Sequence, residues 1–225
     1  DDFIRPISNE QMSNNALFMS GLAYKDPESN NYFNSVLLID DEHRFYHKYH
    51  LVPFGEYLPF KPFLGKILRF LKIPMSDFSS GDPEQKIFET ERGVFGMSIC
   101  YEDAYGSEVR KALPDANILI NVSNDAWFGN SFAPHQHLQM ARMRALENGR
   151  YLLRSTNTGV SAVIDNKGKV ITRSPQFKPH ALSATVKLYA GETPYSKFGN
   201  TLIISFCILS LLLCFMFNRK FKPSS

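Results

Sequence analysis

Gly93-Val-Phe-Gly-Met-Ser-Ile-Cys-Tyr-Glu-Asp103 is the stretch on which the fold turns. Val94 to Ile99 is a short apolar run rich in β-formers and reads as a buried strand. It ends at Cys100, turns polar at Glu102 and Asp103, and gives way to a helical pattern from about Ser107 to Leu113. A cysteine at the C-terminal edge of a strand, where the chain bends into a helix, can be held at the lip of an open α/β sheet. Such sheets carry their chemistry there. A free cysteine taken alone is more often a small buried hydrophobe. Its neighbours in sequence decide between the two.

Residues 46–57 read Tyr-His-Lys-Tyr-His-Leu-Val-Pro-Phe-Gly-Glu-Tyr, residues 121–129 read Asn-Val-Ser-Asn-Asp-Ala-Trp-Phe-Gly, and residues 139–147 read Gln-Met-Ala-Arg-Met-Arg-Ala-Leu-Glu. With Cys-Tyr-Glu at 100–102 they resemble the nitrilase superfamily of Cys-Glu-Lys amide-handling enzymes, and in detail its apolipoprotein N-acyltransferase branch. The resemblance runs from about residue 17 to the C-terminal apolar segment. It implies an α/β fold, a four-layer α-β-β-α sandwich, here N-terminally incomplete and followed by one transmembrane helix. It makes Cys100 the nucleophile and Lys48 the ammonium that stabilises an oxyanion. Glu56 becomes a supporting carboxylate holding Lys48, while Tyr101, Glu102, Asn124 and Trp127 contact substrate. The family's base glutamate belongs upstream of the strand at 17–24. Only Glu10 is near enough, and its context, Ser-Asn-Glu-Gln-Met, does not match. The base is therefore expected to lie outside this chain.

The implied reaction is a two-step acyl transfer. A phospholipid gives its acyl group to Cys100, and the α-amine of an apolipoprotein's N-terminal diacylglyceryl-cysteine takes it from the thioester. No cofactor or metal is implied, and a monomer is expected. Two other readings stand beside this one: a membrane-anchored nitrilase-type amidase acting on a small amide, and a non-catalytic lipid- or peptide-binding module.

The rest of the chain fits this frame. The 225 residues suit one large α/β domain, and 44% hydrophobic composition is ample for a core. A net charge of +3, carried by scattered basic residues, argues against a nucleic-acid partner. The chain opens Asp1-Asp2-Phe3 without an initiator Met or a basic-then-apolar leader, as a mature chain or a fragment would. Residues 17–24, 32–39, 44–48, 116–122, 151–155, 160–164, 170–171 and 184–188 read as strands. Asp26-Pro-Glu-Ser-Asn-Asn31 and Asn166-Lys-Gly168 read as turns. A helix is expected over Pro134–Asn148 with Gly149 as its stop. His135-Gln-His137 has no further ligand at metal spacing and opens this helix, so it is not read as a metal pair. From Pro59 to Ile73 a basic amphipathic arm, with Leu64, Ile67, Leu68 and Leu71 on one face, suits either a membrane interface or a core-packing helix, and the resemblance to a lipid-handling enzyme favours the membrane.

Residues 1–190 are thus the catalytic domain and 191–197 a linker. Phe198 to Phe217 is uncharged and dense in Leu, Ile and Phe, long enough at ~1.5 Å per residue to span a bilayer. Arg219, Lys220 and Lys222 follow, so the positive-inside rule makes 218–225 a cytoplasmic tail. The domain is then expected on the periplasmic face of the bacterial inner membrane. Cys207 and Cys214 fall in the span, which leaves Cys100 without a disulfide partner in an oxidising compartment. An unpaired thiol there is better explained by reactivity.

Overall fold

The computed structural model describes residues 16–40, 42–59, 77–85 and 87–220, with the side chains of 218–220 left out. Its first sheet is an antiparallel meander of β1 (Phe18–Lys25), β2 (Tyr32–Ile39) and β3 (His43–His47). The β1–β2 turn is built by Asp26, whose carboxylate accepts the N–H groups of Glu28 at 3.3 Å and Ser29 at 3.0 Å. The second sheet runs β4 (Ile87–Thr90), β5 (Gly93–Ile99), β6 (Ile118–Ser123), β7 (Leu152–Thr156), β8 (Ala162–Ile164) and β9 (Val170–Arg173), in that spatial order. β5, β6 and β7 are parallel and the outer pairings antiparallel.

The two sheets pack face to face. Val36, Leu38 and Tyr46 of the first meet Phe88, Met97, Ile99 and Ile120 of the second. Helix α1 (Gly106–Val109) follows the Cys100 turn, and α2 (Ala133–Asn148) covers the far face of the second sheet. Leu138, Ala141 and Ala145 of α2 bury themselves against Leu119, Leu152 and Ile164. Pro134 sits in the first turn of α2, where its missing N–H costs nothing, and Gly149 ends the helix at φ 63°. Among the described residues the layers are β-β-α; they include no helical layer outside the first sheet. The expected α/β architecture is present in these three layers.

Strand alternation decides what each face carries. On β6, Ile120 and Val122 face the first sheet, while Leu119 faces α2. Asn121 and Ser123 therefore also turn toward α2. In β7 the same period puts Leu152 and Arg154 on the α2 side, and Asn121 and Arg154 are register partners.

Three expectations need correction or limits. Residues 184–188 form no strand; just beyond them, Tyr189 N–H donates to Asn117 O at 3.1 Å and Asn117 Nδ2 returns a bond to Tyr189 O. An alternating pattern there lacks a partner strand to pair with. β4 was not expected, because four residues are too few to show a period. The amphipathic arm lies, from residue 60 onward, outside the described residues.

The C-terminal segment also differs from its expected bounds. Thr193 caps a short helix, α3 (Pro194–Phe198), and Gly199 at φ 56° breaks it from α4 (Thr201–Lys220). Residues 191–197, expected as a linker, are bonded to the domain at two points. Arg150 donates to Gly191 O at 2.7 Å, and Arg110 to Ser196 O at 2.7 Å. Among the described residues no helix is long and apolar enough to cross a membrane. The side chains of α4, described through Phe217, are exposed all round, Ser210 alone being partly covered.

Candidate active site

β5 delivers Cys100 to the sheet's C-terminal edge, where the chain tightens into a 3₁₀ turn over Cys100–Ala104. Cys100 has φ 54°, a left-handed conformation that costs a non-glycine residue roughly 1 kcal/mol or more. Such a conformation persists only where the surroundings impose it. The Cys100 carbonyl accepts from Asn121 Nδ2 at 3.3 Å and His137 Nε2 at 3.1 Å. One residue earlier, Ile99 N–H donates to Glu102 Oε2 at 2.7 Å.

Cys100 opens on a cavity of about 570 Å³, walled by Gly21 and Leu22 of β1, Asn34, Glu56, Val122, Asn124, Trp127 and Ser155 among others. Gly21 is required there, since a Cβ would lie 2.7 Å from Val122 Cγ1. Beside this wall Lys48 is 0% exposed, and its Nζ lies 2.7 Å from Glu56 Oε2. Glu56 is itself fixed by Asn34 Nδ2 at 2.7 Å and Val52 N–H at 2.7 Å. The loop after β3 is thus folded around one carboxylate, and that carboxylate aims one ammonium.

The expected substrate contacts divide. Asn124 lines the cavity and is braced by Asn157 Nδ2 at 2.7 Å. Trp127 lines its mouth and is 77% exposed. Tyr101 packs edge-on against Tyr105 instead, with ring centroids 5.7 Å apart. Glu102 needs a plain correction. It is 3% exposed and accepts Tyr46 Oη, Tyr49 N–H, His50 N–H and Ile99 N–H, so no acceptor position is left facing substrate. Burial raises its carboxyl above the ordinary value, against the pull of its three backbone donors and Lys48. It ties the loop after Lys48 to the Cys100 turn. Glu10 lies outside the described residues.

A buried charged cluster behind Cys100 was not anticipated from sequence. Arg154 Nη1 lies 3.3 Å from Asp103 Oδ2, and Nη2 lies 3.0 Å from Asp125 Oδ2. His137 sits between the two aspartates, with Nε2 3.0 Å from Asp103 Oδ1 and Nδ1 3.2 Å from Asp125 Oδ1. Ser123 Oγ adds a bond to Asp125 at 2.6 Å. Burial opposes charge on both groups, yet the two aspartates raise His137 to about 9, and His137, Arg154 and Ser123 hold Asp125 at about 2. The one hint in sequence was an arginine at 154 inside the strand read over 151–155.

The cluster makes stability depend on pH. A raised histidine contributes fully below its unfolded value of 6.5, and that contribution is lost as pH climbs through about 9. A depressed aspartate contributes above 3.8 and is lost as pH falls through about 2. The domain is expected to be most stable between those limits. Thermal unfolding followed by circular dichroism should show a Tm lower by roughly 5 °C above pH 9 than near pH 6. A Tm flat across that interval would refute the charged cluster.

A sequence model described as carbon-nitrogen hydrolase matches residues 2–195. The chain is 44% identical to the apolipoprotein N-acyltransferase of Nitrosomonas europaea over 94% of its own length and 42% of that protein's. It is 41% identical to that of Methylococcus capsulatus, over 98% of this chain and 44% of that one. It therefore spans less than half the length of the curated relatives it matches. The solved C. elegans NitFhit protein superposes with a TM-score of 0.58 at 22% identity, covering 77% of this chain and 43% of that one. A carbon-nitrogen hydrolase from Helicobacter pylori does so with a TM-score of 0.57 at 19% identity, covering 75% and 61%. Both share this chain's fold. The chain belongs to the carbon-nitrogen hydrolase family.

Proposed function

We propose that this chain is the catalytic portion of an apolipoprotein N-acyltransferase, which carries a fatty acyl group from phospholipid to apolipoprotein through a thioester on Cys100. One observation carries the reading. A cysteine held in a left-handed turn opens on a roomy cavity beside a buried Lys48–Glu56 pair, in a chain 44% identical to such an enzyme.

In the first step the Cys100 thiolate attacks the carbonyl carbon of a phospholipid ester. The negative charge gathers on the carbonyl oxygen, where Lys48 stabilises it. The carbon–oxygen bond to glycerol then breaks, and the lysophospholipid alkoxide leaves as an alcohol with the proton given up by the thiol. In the second step the α-amine of the diacylglyceryl-cysteine attacks the thioester, the carbon–sulfur bond breaks, and the amine's lost proton returns to sulfur. Glu56 orients Lys48, while Asn124 and Trp127 contact the acyl donor or acceptor. A glutamate outside the described residues serves as the base. The hydrolytic amidase and the binding module are the disfavoured readings, given the names of the relatives.

The test is to incubate the full-length protein with acyl-labelled phospholipid. Label should appear on Cys100, be released by hydroxylamine, and move to a peptide bearing an N-terminal diacylglyceryl-cysteine. Release as free fatty acid would favour the hydrolase instead. Failure of any label to reach Cys100 would sink the reading.

We further propose that α4 is embedded in lipid, with the domain on the extracytoplasmic face. A helix apolar all round must be covered by something, and the apolar side chains of α4 stand clear of the domain. Cutting after Asn200 preserves α3 and its bonds to Arg110 and Arg150. That truncated protein should fold but lose roughly tenfold or more of its turnover on vesicle-borne substrate, because it loses effective concentration at the bilayer. Undiminished turnover would refute the anchoring role.

A further inference from the structure

The acyl-transfer reading makes no use of His137, yet His137 touches the nucleophile's own backbone. Its Nε2–H donates to the Cys100 carbonyl at 3.1 Å, and its Nδ1–H to Asp125 Oδ1 at 3.2 Å. A carbonyl oxygen and an ionised carboxylate only accept. Both ring nitrogens must therefore carry hydrogen, which holds for the imidazolium alone. The charged groups facing the ring are Asp103 from the 3₁₀ turn, Asp125 from the β6–α2 connection and, across those two carboxylates, Arg154 from β7. The Phe128 ring closes the remaining side edge-on. With His137 protonated, two cations meet two anions. With it neutral, one buried negative charge is uncompensated, a costly state in a low dielectric.

The carbonyl that His137 grips belongs to the peptide joining Cys100 to Tyr101. That unit is planar, so its N–H points opposite to its C=O. Gripping the oxygen turns the Tyr101 N–H away from the cluster and fixes the rotation about the Cα–C bond of Cys100. Asn121 Nδ2 grips the same oxygen at 3.3 Å, but an amide brings no titration with it.

We propose that His137 is a positioning residue for the reaction: by bonding the Cys100 carbonyl on one side and Asp125 on the other, it locks the Cys100–Tyr101 peptide in the orientation thioester formation requires. The proposal rests on the reading of Cys100 as the acyl-accepting nucleophile. Its consequence is a rate that depends on the charge of a group that never meets substrate. Loss of the His137 proton removes a donor, and the peptide regains freedom to rotate. The raised basicity of His137, about 9, sets where that should happen.

The experiment is single-turnover thioester formation by the full-length protein on acyl-labelled phospholipid, from about pH 6.5 to about pH 10.5. Wild type should lose rate along a limb near pH 9, in step with the carbon-13 shift of the His137 imidazole. Asp125→Asn keeps the shape but removes a carboxylate that holds the proton, so the limb should move down by about one pH unit. His137→Gln should abolish the limb and slow the step by roughly 10- to 100-fold, with the half-saturating phospholipid concentration little changed. A structural role alone would lower Tm without creating a limb that follows Asp125. A profile flat to about pH 10, a limb unmoved by Asp125→Asn, or an imidazole that titrates apart from the rate overturns the proposal. If either variant fails to fold, the wild-type profile and its imidazole titration decide alone. Absence of any thioester in wild type at neutral pH is a separate outcome, since it refutes the nucleophile itself before the pH series begins.

Discussion

Cys100→Ala should abolish the proposed acyl transfer and leave the domain folded. Cys100 is only partly buried and borders open space, so loss of one sulfur leaves a small cavity that the existing void absorbs. The left-handed backbone strain is the same for alanine as for cysteine, and the grip of Asn121 and His137 on the carbonyl does not involve the side chain. Circular dichroism and Tm should match wild type to within a few degrees, about what 1 kcal/mol is worth in a domain this size. Cys100→Ser should be nearly as inactive, because an alcohol is far harder to ionise than a thiol and its ester is a poorer acyl donor. Neither Cys207 nor Cys214 should carry hydroxylamine-labile label, since both stand on α4 and not in the cavity. Substantial acylation by Cys100→Ala would move the binding-module reading to the front.

Lys48→Ala should fail at the same step of the proposed reaction. Thioester formation passes through an oxyanion, and removing a preorganised cation from beside it typically costs on the order of 100-fold or more in rate. Lys48 is fully enclosed, so part of any loss could come from disturbance of Glu56. Lys48→Met separates the two, because it fills the same space without charge. Glu56 keeps Asn34 and the Val52 N–H as partners in either variant. Both variants should bind phospholipid with near-normal affinity while the rate of adduct formation collapses. A fall in binding with an unchanged single-turnover rate would make Lys48 a structural lysine.

Much of the frame was legible before any coordinates. Eight of the expected strands correspond to β1–β3 and β5–β9 in part or whole, because apolar runs bounded by Gly, Asp and Asn mark segments that must be buried and then turned. Cys100 was legible as a strand-end residue for the same reason: Ile99 is the last buried apolar residue before an abrupt polar turn. Lys48 and Glu56 were legible only through the family resemblance. Their ion pair depends on a loop closed by backbone donors, and no periodicity reports that.

The charged cluster was not legible, and the reason is topological. Asp103, Asp125, His137 and Arg154 come from four separate segments. They meet because β5, β6 and β7 pair in parallel, which brings successive strand ends to one edge of the sheet. A one-residue slip of β7 would send Arg154 to the cavity side and leave both aspartates without their cation. Glu102 shows the same limit. In sequence it stands beside the nucleophile as a candidate contact; in the fold its carboxylate turns inward to four donors from β3, the loop after it and β5.

By itself the sequence determined most of the strands, where the Cys100 strand ends, and that an uncharged apolar segment follows the domain. Those are properties of local pattern, and hydrophobic burial enforces them wherever the segment packs. Tertiary structure alone decided which polar residues share the sheet's C-terminal edge, which of them face the cavity, and which are spent holding the Cys100 turn. Strand pairing and register set those contacts, and both depend on neighbours far away in the chain.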